Sequence, residues 1–293
     1  CIEVKADSVT IDLNGFSTGV IEPVPAGLVG DNVEIRNGTV LGPIILGDGT
    51  VLDALTVRDV SSFVLFVVQL GEGSLIKNSR FERNQIAVDL YWGDRIEVRG
   101  CRFVDNLIGI NVASDNDSRI IQNHFEQNGR GVNIWDEDFF GSSNTEIHRN
   151  SFRRNDVGVR LDARDEANGT RITENVFHHN SSSGIAISLG CETSASPTCG
   201  GRGTIVQSNL FLRNGDDPRI FGRSLADDGL TVVGIDELGT SDGVTVTGNT
   251  AIRNADLGID APGVVDGGAN LAKQNGNELQ CVGVRCGPGR ASR

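Results

Sequence analysis

A short signature, Asn-x-Phe-x-x-Asn, recurs along the middle of this chain and constrains its fold more than any other feature. The tightest copies are 22 residues apart, and a Gly-Ile or Gly-Val pair follows the second asparagine in most of them. The frame returns with alanine in place of phenylalanine at residues 249–254. A fixed repeat of this length is typical of a solenoid. The phenylalanines are Phe81, Phe103, Phe125, Phe152, Phe177 and Phe211.

The repeat predicts short strands stacked coil on coil, about 4.8 Å apart, with equivalent side chains in columns. Phenylalanines then pack on phenylalanines, and the turn asparagines form hydrogen-bonded ladders. Longer copies carry their extra residues after the Gly-Ile/Val strand, where an insertion can bulge outward. A leucine-rich repeat would need a Leu-x-x-Leu-x-Leu frame, which is absent. We therefore expect an all-β fold, a single-stranded right-handed parallel β-helix of roughly ten coils.

The β-helix is expected to form one domain over residues 1–293. Residues 1–63 alternate as strands and predict the first coils, residues 64–260 the regular coils, and residues 261–293 a C-terminal cap with a disulfide. Because the sequence begins at Cys1 and not at methionine, we expect a processed form from which the N-terminal cap is missing.

Two close cysteine pairs, Cys191 with Cys199 and Cys281 with Cys286, predict two local disulfides. No histidine lies near either pair in the sequence, which favours disulfides over a metal site. Cys101 replaces asparagine in the repeat, and we expect a buried thiol there. The cysteines together indicate a secreted or cell-surface protein.

The formal net charge of −13 argues against nucleic acid and against an anionic membrane as partners. No apolar stretch is long enough to span a bilayer. An acidic polysaccharide stays compatible with this charge, because a local basic pocket can overcome a repulsive global field. The oligomeric state is not constrained.

The repeats resemble those of the pectate-lyase-like right-handed β-helix superfamily, especially its secreted bacterial proteins. The segments Val-Thr-Ile-Asp-Leu-Asn-Gly (9–15) and Gly-Asn-Glu-Leu-Gln-Cys-Val-Gly-Val-Arg-Cys (276–286) are similar to segments of exported members. The resemblance covers nearly the whole chain. It implies a protein that binds or cleaves an extracellular polysaccharide along one strand face, in a superfamily that includes lyases, hydrolases, epimerases, metal-maturation factors and tailspike adhesins.

Specific signatures of that superfamily are missing. The Gly-His-Gly and Asn-Thr-Asp motifs of polygalacturonases do not occur, and neither does the Arg-x-Pro-x-x-Arg run of pectate lyases. Asp217-Pro218-Arg219 resembles the Asp-Pro-His motif of mannuronan epimerases but lacks the histidine. The resemblance therefore predicts the fold more strongly than the reaction.

The Gly-Ile/Val strands supply the candidate site, because aromatic and polar residues collect on their outward side. Alignment of the coils gives one outward column with Asp89, Asn111, Asn133 and Arg160, and a second with Tyr91, Trp135 and Asp162. Exposed aromatic rings bind the apolar faces of sugars, while polar neighbours bind hydroxyls and carboxylates. The candidate substrate-binding residues are Asp89, Trp92, Asn111, Asn133, Trp135, Phe139 and Asp165.

Two reactions are compatible with this face. A hydrolase needs two carboxyl groups, and Asp136, Asp162 and Asp165 are the best placed. A lyase needs a base and a cation that stabilises an enolate, and Arg160 is the candidate for the cation or the base. Tyr91 could donate a proton to the leaving oxygen. The candidate catalytic set is Arg160, Asp162, Asp136 and Tyr91. Arg160 could instead simply pair with Asp162 or Asp136.

No cofactor is required by either reaction. Asp115, Asp117 and Asp138 could supply oxygen ligands to Ca²⁺, although no EF-hand loop is present. Two functions stay open, a polysaccharide lyase or glycoside hydrolase, and a non-catalytic exported β-helix that acts as a glycan-binding, adhesin or structural surface protein.

Overall fold

The computed structural model describes residues 2–23, 30–60, 68–91, 93–135, 142–163, 168–189, 201–215, 228–234 and 243–287. Within these ranges every regular element is a β-strand, and every strand pair is parallel. The predicted right-handed parallel β-helix is therefore confirmed. No helix in the described part of the chain is long and apolar enough to cross a membrane.

One side of the solenoid is a 12-stranded parallel sheet, which we call the face sheet. Each coil adds one strand to it. Its strands are Ile2–Val4, Ile21–Pro23, Ile44–Leu46, Val68–Leu70, Ile86–Tyr91, Ile108–Ala113, Arg130–Trp135, Val157–Ala163, Ser183–Leu189, Leu230–Gly234, Ile259–Asp260 and Cys281–Val282.

The other two sides form a 21-stranded sheet made of two ladders, which share the long strands Glu34–Val40 and Val51–Arg58. The first ladder adds Thr10–Asp12, Leu75–Lys77, Glu97–Arg99, Arg119–Ile121, Glu146–His148, Arg171–Thr173, Thr204–Gln207, Val244–Thr247 and Val265–Gly268. The second, the phenylalanine ladder, adds Ser17–Thr18, Arg80–Glu82, Arg102–Val104, His124–Glu126, Ser151–Arg153, Val176–His178, Leu210–Leu212, Thr250–Ile252, Asn270–Lys273 and Cys286–Gly287.

The repeat phenylalanines form one continuous stack inside the solenoid. Successive ring centroids from Phe81 to Phe211 are 4.7–5.1 Å apart, and the rings are nearly parallel. All six side chains are fully buried. The coil spacing of about 4.8 Å therefore sets the ring spacing, and the predicted column of phenylalanines is confirmed.

The predicted asparagine ladders are also present, one at each end of the phenylalanine ladder's strands. At Asn150 the side-chain nitrogen donates to the Ile120 carbonyl and to Oδ1 of Asn175, while Oδ1 accepts from the backbone N–H of Asn123. These contacts satisfy buried turn groups that no strand partner reaches. The ladders hold the turns in register from coil to coil.

The cysteines agree with their sequence assignments where the structure describes them. Cys281 and Cys286 form a disulfide, and Cys101 is a buried free thiol. Burial raises the pKa of the Cys101 thiol to about 12, so it is neutral and unreactive. The predicted pair Cys191 and Cys199 lies outside the described residues.

Candidate functional site

The outer surface of the face sheet carries the candidate site in the predicted columns. Strand register places Asp89 beside Asn111, Asn111 beside Asn133, and Asn133 beside Arg160 on successive coils. The residues on either side of this column point into the core. The alignment of the repeats therefore predicts this register correctly.

Three members of this column are buried, which the sequence does not reveal. Asp89, Asn111 and Asn133 expose only 4%, 9% and 1% of their surfaces. The Asn111 side-chain amide donates to Asp89 Oδ1 at 2.8 Å, and that of Asn133 donates to Asn111 Oδ1 at 2.8 Å. These three side chains form a hydrogen-bonded polar row. The row orients the arginine side chains that lie at its end.

Arg130 stands at the end of that row and is the site residue that the sequence analysis missed. Its Nη1 donates to Asn133 Oδ1 at 2.9 Å. Burial and the neighbouring Arg160 guanidinium lower the pKa of Arg130. Among the described residues no carboxylate forms an ion pair with it. Its column holds Ile108 and Val157 on the adjacent coils, and this change from apolar to charged is the signal that could have identified it.

Arg160 lies beside Arg130 and is held by an acid on its own strand. Its Nε is 2.7 Å from Asp162 Oδ2, and both side chains are half-buried. The interpretation that Arg160 pairs with Asp162 is therefore confirmed. The negative charges of Asp162 and of Asp156, which lies on the preceding turn, act on Arg130 in the opposite direction and favour its charged form. Two guanidinium groups thus share one small area of the face.

Trp135 borders this pair and exposes 43% of its surface. It is the register partner of Asp162 on the next coil. We call Arg130, Trp135, Arg160 and Asp162 the arginine–tryptophan cluster. The cluster contains an exposed aromatic ring, a half-buried guanidinium that forms no ion pair with a described acid, and the ion pair of Arg160 with Asp162. This combination suits a sugar that carries an acidic group.

Tyr91 does not belong to this cluster. It shares the outer column with Trp135 and Asp162, but Ala113 and Trp135 lie between Tyr91 and Asp162. Three coil intervals of about 4.8 Å separate the two residues by about 14 Å. The two side chains cannot act on the same bond, so the predicted catalytic set is not assembled as one group.

Tyr91 instead borders a trough that extends along the face towards the N-terminal coils. This trough has a volume of about 680 Å³. Gly71 lines this trough beside Tyr91, and a Cβ at Gly71 would lie 2.1 Å from Asp48 Oδ1. The polar lining comes from Lys5, Asp7, Asp31, Asp48, Gln69 and Tyr91.

The candidate calcium ligands do not converge where they are described. Asp115 is fully buried, whereas Asp117 is exposed and accepts a hydrogen bond from Asn144 at 3.0 Å. Burial, with Asp94 and Asp117 nearby, raises the pKa of Asp115 to about 8. The described chain contains no group of three His, Cys, Asp or Glu residues able to hold a metal ion. Calcium binding stays a prediction.

Several predicted site residues lie outside the part of the chain that the structure describes. They are Trp92, Asp136, Asp138, Phe139 and Asp165, together with the segment Asp217-Pro218-Arg219.

Solved structures with similar folds include enzymes and an adhesin. The A-module of a mannuronan C-5 epimerase from Azotobacter vinelandii has a TM-score of 0.60 and 17% identity, over 91% of this chain and 80% of the epimerase. An alginate lyase in complex with a trisaccharide has a TM-score of 0.54 and 16% identity, over 90% and 55%. PfbA, a surface adhesin of Streptococcus pneumoniae, has a TM-score of 0.50 and 9% identity, over 79% and 78%.

These identities show a shared fold alone, and the chain spans only about half the length of the lyase. None of the curated proteins matches the chain by sequence. A family model does match: the one described as the right handed beta helix region covers residues 44–198, slightly more than half of the chain. The chain belongs to this right-handed β-helix family.

Proposed function

We propose that this protein binds an acidic extracellular polysaccharide along the outer surface of the face sheet and cleaves it as a polysaccharide lyase or glycoside hydrolase. The arginine–tryptophan cluster is the observation that carries the proposal. Mannuronan and alginate, named in two of the similar structures, are uronate polymers, which agrees with a carboxylate-bearing ligand. One of the similar structures is a surface adhesin, and this similarity is compatible with a binding function.

Each member of the cluster has a distinct part in binding. The exposed ring of Trp135 stacks on the apolar face of a sugar. Arg130, positioned through Asn133, donates charge-assisted hydrogen bonds to the uronate carboxylate. Because partial burial has removed some of the water around this guanidinium, an incoming carboxylate recovers part of the interaction that was lost.

The same arrangement suits the first step of a lyase reaction. Neutralising the uronate carboxylate acidifies the adjacent C–H bond, and Arg130 with Arg160 would stabilise the enolate that forms when a base outside the ion pair of Arg160 with Asp162 takes up the proton. With Tyr91 about 14 Å from Asp162, the proton for the leaving oxygen must come from another group or from water. A hydrolase would need a second carboxyl group beside Asp162, for which Asp136 and Asp165 are the candidates.

The second candidate function is a non-catalytic glycan-binding protein. Asp162, the carboxylate within the cluster, is already paired with Arg160, and Tyr91 is three coils away. Binding needs only the exposed ring and the guanidinium groups, whereas catalysis also needs a free base and an acid. This difference separates the two functions experimentally.

We also propose an extracytoplasmic location. The disulfide between Cys281 and Cys286 supports an oxidising compartment. The similar adhesin is a surface protein, which is compatible with this location.

A panel of uronate-containing and neutral glycans tests the proposal. A lyase releases unsaturated uronate ends that absorb in the ultraviolet, a hydrolase releases reducing ends alone, and a binding protein releases neither. We expect Trp135→Ala to abolish turnover and to weaken glycan binding strongly, while Arg149→Gln, a change in an exposed ion pair with Glu174, leaves both intact. Binding without products, weakened in Trp135→Ala, would establish the non-catalytic function. Equal binding by Trp135→Ala and the unchanged protein would contradict the site itself.

A further inference from the structure

A second charged surface lies on the corner where the phenylalanine ladder turns into the face sheet. In each coil one residue at this turn adopts a left-handed backbone conformation, with φ near 55° at Arg154 and His179. Its backbone N–H donates to the next coil, as Arg154 does to the His178 carbonyl. The corner positions, in order, are Asp59, Arg83, Asp105, Gln127, Arg154, His179, Arg213, Arg253 and Gln274.

The two halves of this column differ in how their arginines are paired. In the N-terminal half, Arg83 forms an ion pair with Asp59 at 2.6 Å. In the C-terminal half, none of the described acids forms an ion pair with Arg154, Arg213 or Arg253. All three side chains are exposed. The C-terminal half therefore carries uncompensated positive charge on a chain of net charge −13.

Neighbouring side chains strengthen this charge. His178 and Lys273 lie on the adjacent outward column of the phenylalanine ladder, and so does Arg153, which forms an ion pair with Glu126 at 3.6 Å. The pKa of His178 is lowered, first by partial burial and then by the cations around it, which include Arg153, Arg154 and Arg213. We call Arg154, His179, Arg213 and Arg253, with these three neighbours, the basic corner. Cations crowded in this way repel one another, and a bound anion relieves that repulsion.

We propose that the basic corner binds a linear anionic polysaccharide that runs parallel to the solenoid axis. Arg154, Arg213 and Arg253 belong to one column, and three coil intervals of about 4.8 Å spread it over about 14 Å. A column of cations at this spacing matches a polymer that carries its acidic groups at regular intervals along an extended chain. Arginine side chains bind such carboxylate or sulfate groups through paired N–H donors.

A polysaccharide fits this surface better than a nucleic acid does. Proteins that bind single-stranded nucleic acids stack bases on aromatic side chains. In the described part of the basic corner the only rings are those of His178 and His179, while the exposed Trp135 lies on the face sheet. The remainder of this acidic chain also repels a densely charged phosphate backbone more strongly than a uronate chain.

The basic corner is separate from the arginine–tryptophan cluster and does not depend on what that cluster does. It is placed at the edge of the face sheet, since strand Val157–Ala163 starts three residues after Arg154. A polymer held at both surfaces would bind more tightly than at either alone, because the second contact is intramolecular.

Binding of defined polymers to the full chain tests this inference. The corner variant Arg154→Gln/Arg213→Gln/Arg253→Gln is compared with Arg36→Gln/Arg83→Gln/Arg119→Gln, which changes the net charge equally at paired arginines. Alginate and polygalacturonate are the probes, with neutral dextran as control. We expect the corner variant to lose about tenfold in affinity and its salt dependence to fall by roughly 2 in logarithmic slope, with less than about a twofold change in the control variant.

Three other outcomes would overturn the inference. Equal affinity of the corner variant and the unchanged protein would exclude the corner as a binding surface. Complete loss of polymer binding in Trp135→Ala, with the corner intact, would assign all binding to the face sheet. Single-stranded DNA of matched charge that binds at least as tightly as alginate, and loses affinity in the corner variant, would make the partner a nucleic acid. Failure of the glycan panel at the face sheet leaves the expected corner result unchanged.

Discussion

Asp115 is the residue whose surroundings least suit its charge. Its side chain is fully buried, and neither carboxyl oxygen has a hydrogen-bond partner of ordinary geometry in the described chain. Burial raises its pKa to about 8, with Asp94 and Asp117 adding to the shift and the Ser118 hydroxyl opposing it. Glycine occupies the equivalent position of the preceding coil, at Gly93. The sequence shows an acidic turn here but not which of its acids points inward.

The free energy of unfolding should therefore depend on pH through Asp115. Because folding raises the pKa from its ordinary value of 3.8 to about 8, the folded state favours the neutral acid. Stability is greatest below pH 4 for this group and falls as pH rises towards 8, by at most about 1.4 kcal/mol per pH unit. In chelator, urea titrations should show this fall in the unchanged protein and in Asp117→Asn, but not in Asp115→Asn.

The calcium prediction is tested by the same variants. If Ca²⁺ binds the ionised Asp115 carboxylate, adding it at pH 8 should raise the melting temperature of the unchanged protein and leave that of Asp115→Asn unaffected. An equal pH dependence of stability in the unchanged protein and Asp115→Asn would contradict the assigned pKa.

At the scale of elements, the asparagine ladders supply the hydrogen bonds between coils that strand pairing cannot supply at the turns. Cys101 and Ser79 occupy the same ladder column as Asn123 and Asn150. Ser79 still accepts from the backbone N–H of Leu55, at 3.1 Å, but it has no amide to bridge two coils. The column therefore includes asparagines, whose amides bridge two coils, and a serine, which keeps only part of these hydrogen bonds.

Asn150→Ala should lower the free energy of unfolding by about 3 kcal/mol, because it leaves the Asn123 N–H buried without a partner and removes the amide donors to the Ile120 carbonyl and to Asn175 Oδ1. Asn150→Ser should cost about half as much, since its hydroxyl can keep one of these bonds, as Ser79 does. Urea denaturation of both variants gives the two values. Equal losses for alanine and serine would show that packing, and not the hydrogen bonds, stabilises the ladder.

The repeat predicts the inward-facing side chains well and the outward-facing side chains incompletely. Phenylalanine and asparagine columns are repeated in sequence because each coil must fit the one before it, so their positions can be predicted from spacing alone. Outward positions are free to change from coil to coil. Neighbours that no repeat specifies determine the burial of Asn111 and Asn133 and the placement of Arg130. The separation of Tyr91 from Asp162 follows only when the coils between them are counted along the axis.

On the scale of the whole molecule, the solenoid converts sequence repeats into linear columns of like positions. Its net charge of −13 predicts repulsion of polyanions, yet its arginines are unevenly paired along its length. Most described arginines form an ion pair with an acid on the same or a neighbouring coil, whereas Arg130, Arg154, Arg213 and Arg253 are among those that do not. The net charge therefore describes the average surface, and the proposed binding surfaces are local exceptions to it.

The central claim is that the arginine–tryptophan cluster recognises a sugar carboxylate, and calorimetry with a matched pair of short ligands tests it most directly. The pair is a uronate oligosaccharide and its carboxyl-reduced neutral form. The account predicts that the unchanged protein binds the acidic form at least about tenfold more tightly, and that Arg130→Gln removes this preference while keeping the weak affinity for the neutral form. Equal affinity of the unchanged protein for both ligands, or an undiminished preference in Arg130→Gln, would contradict it.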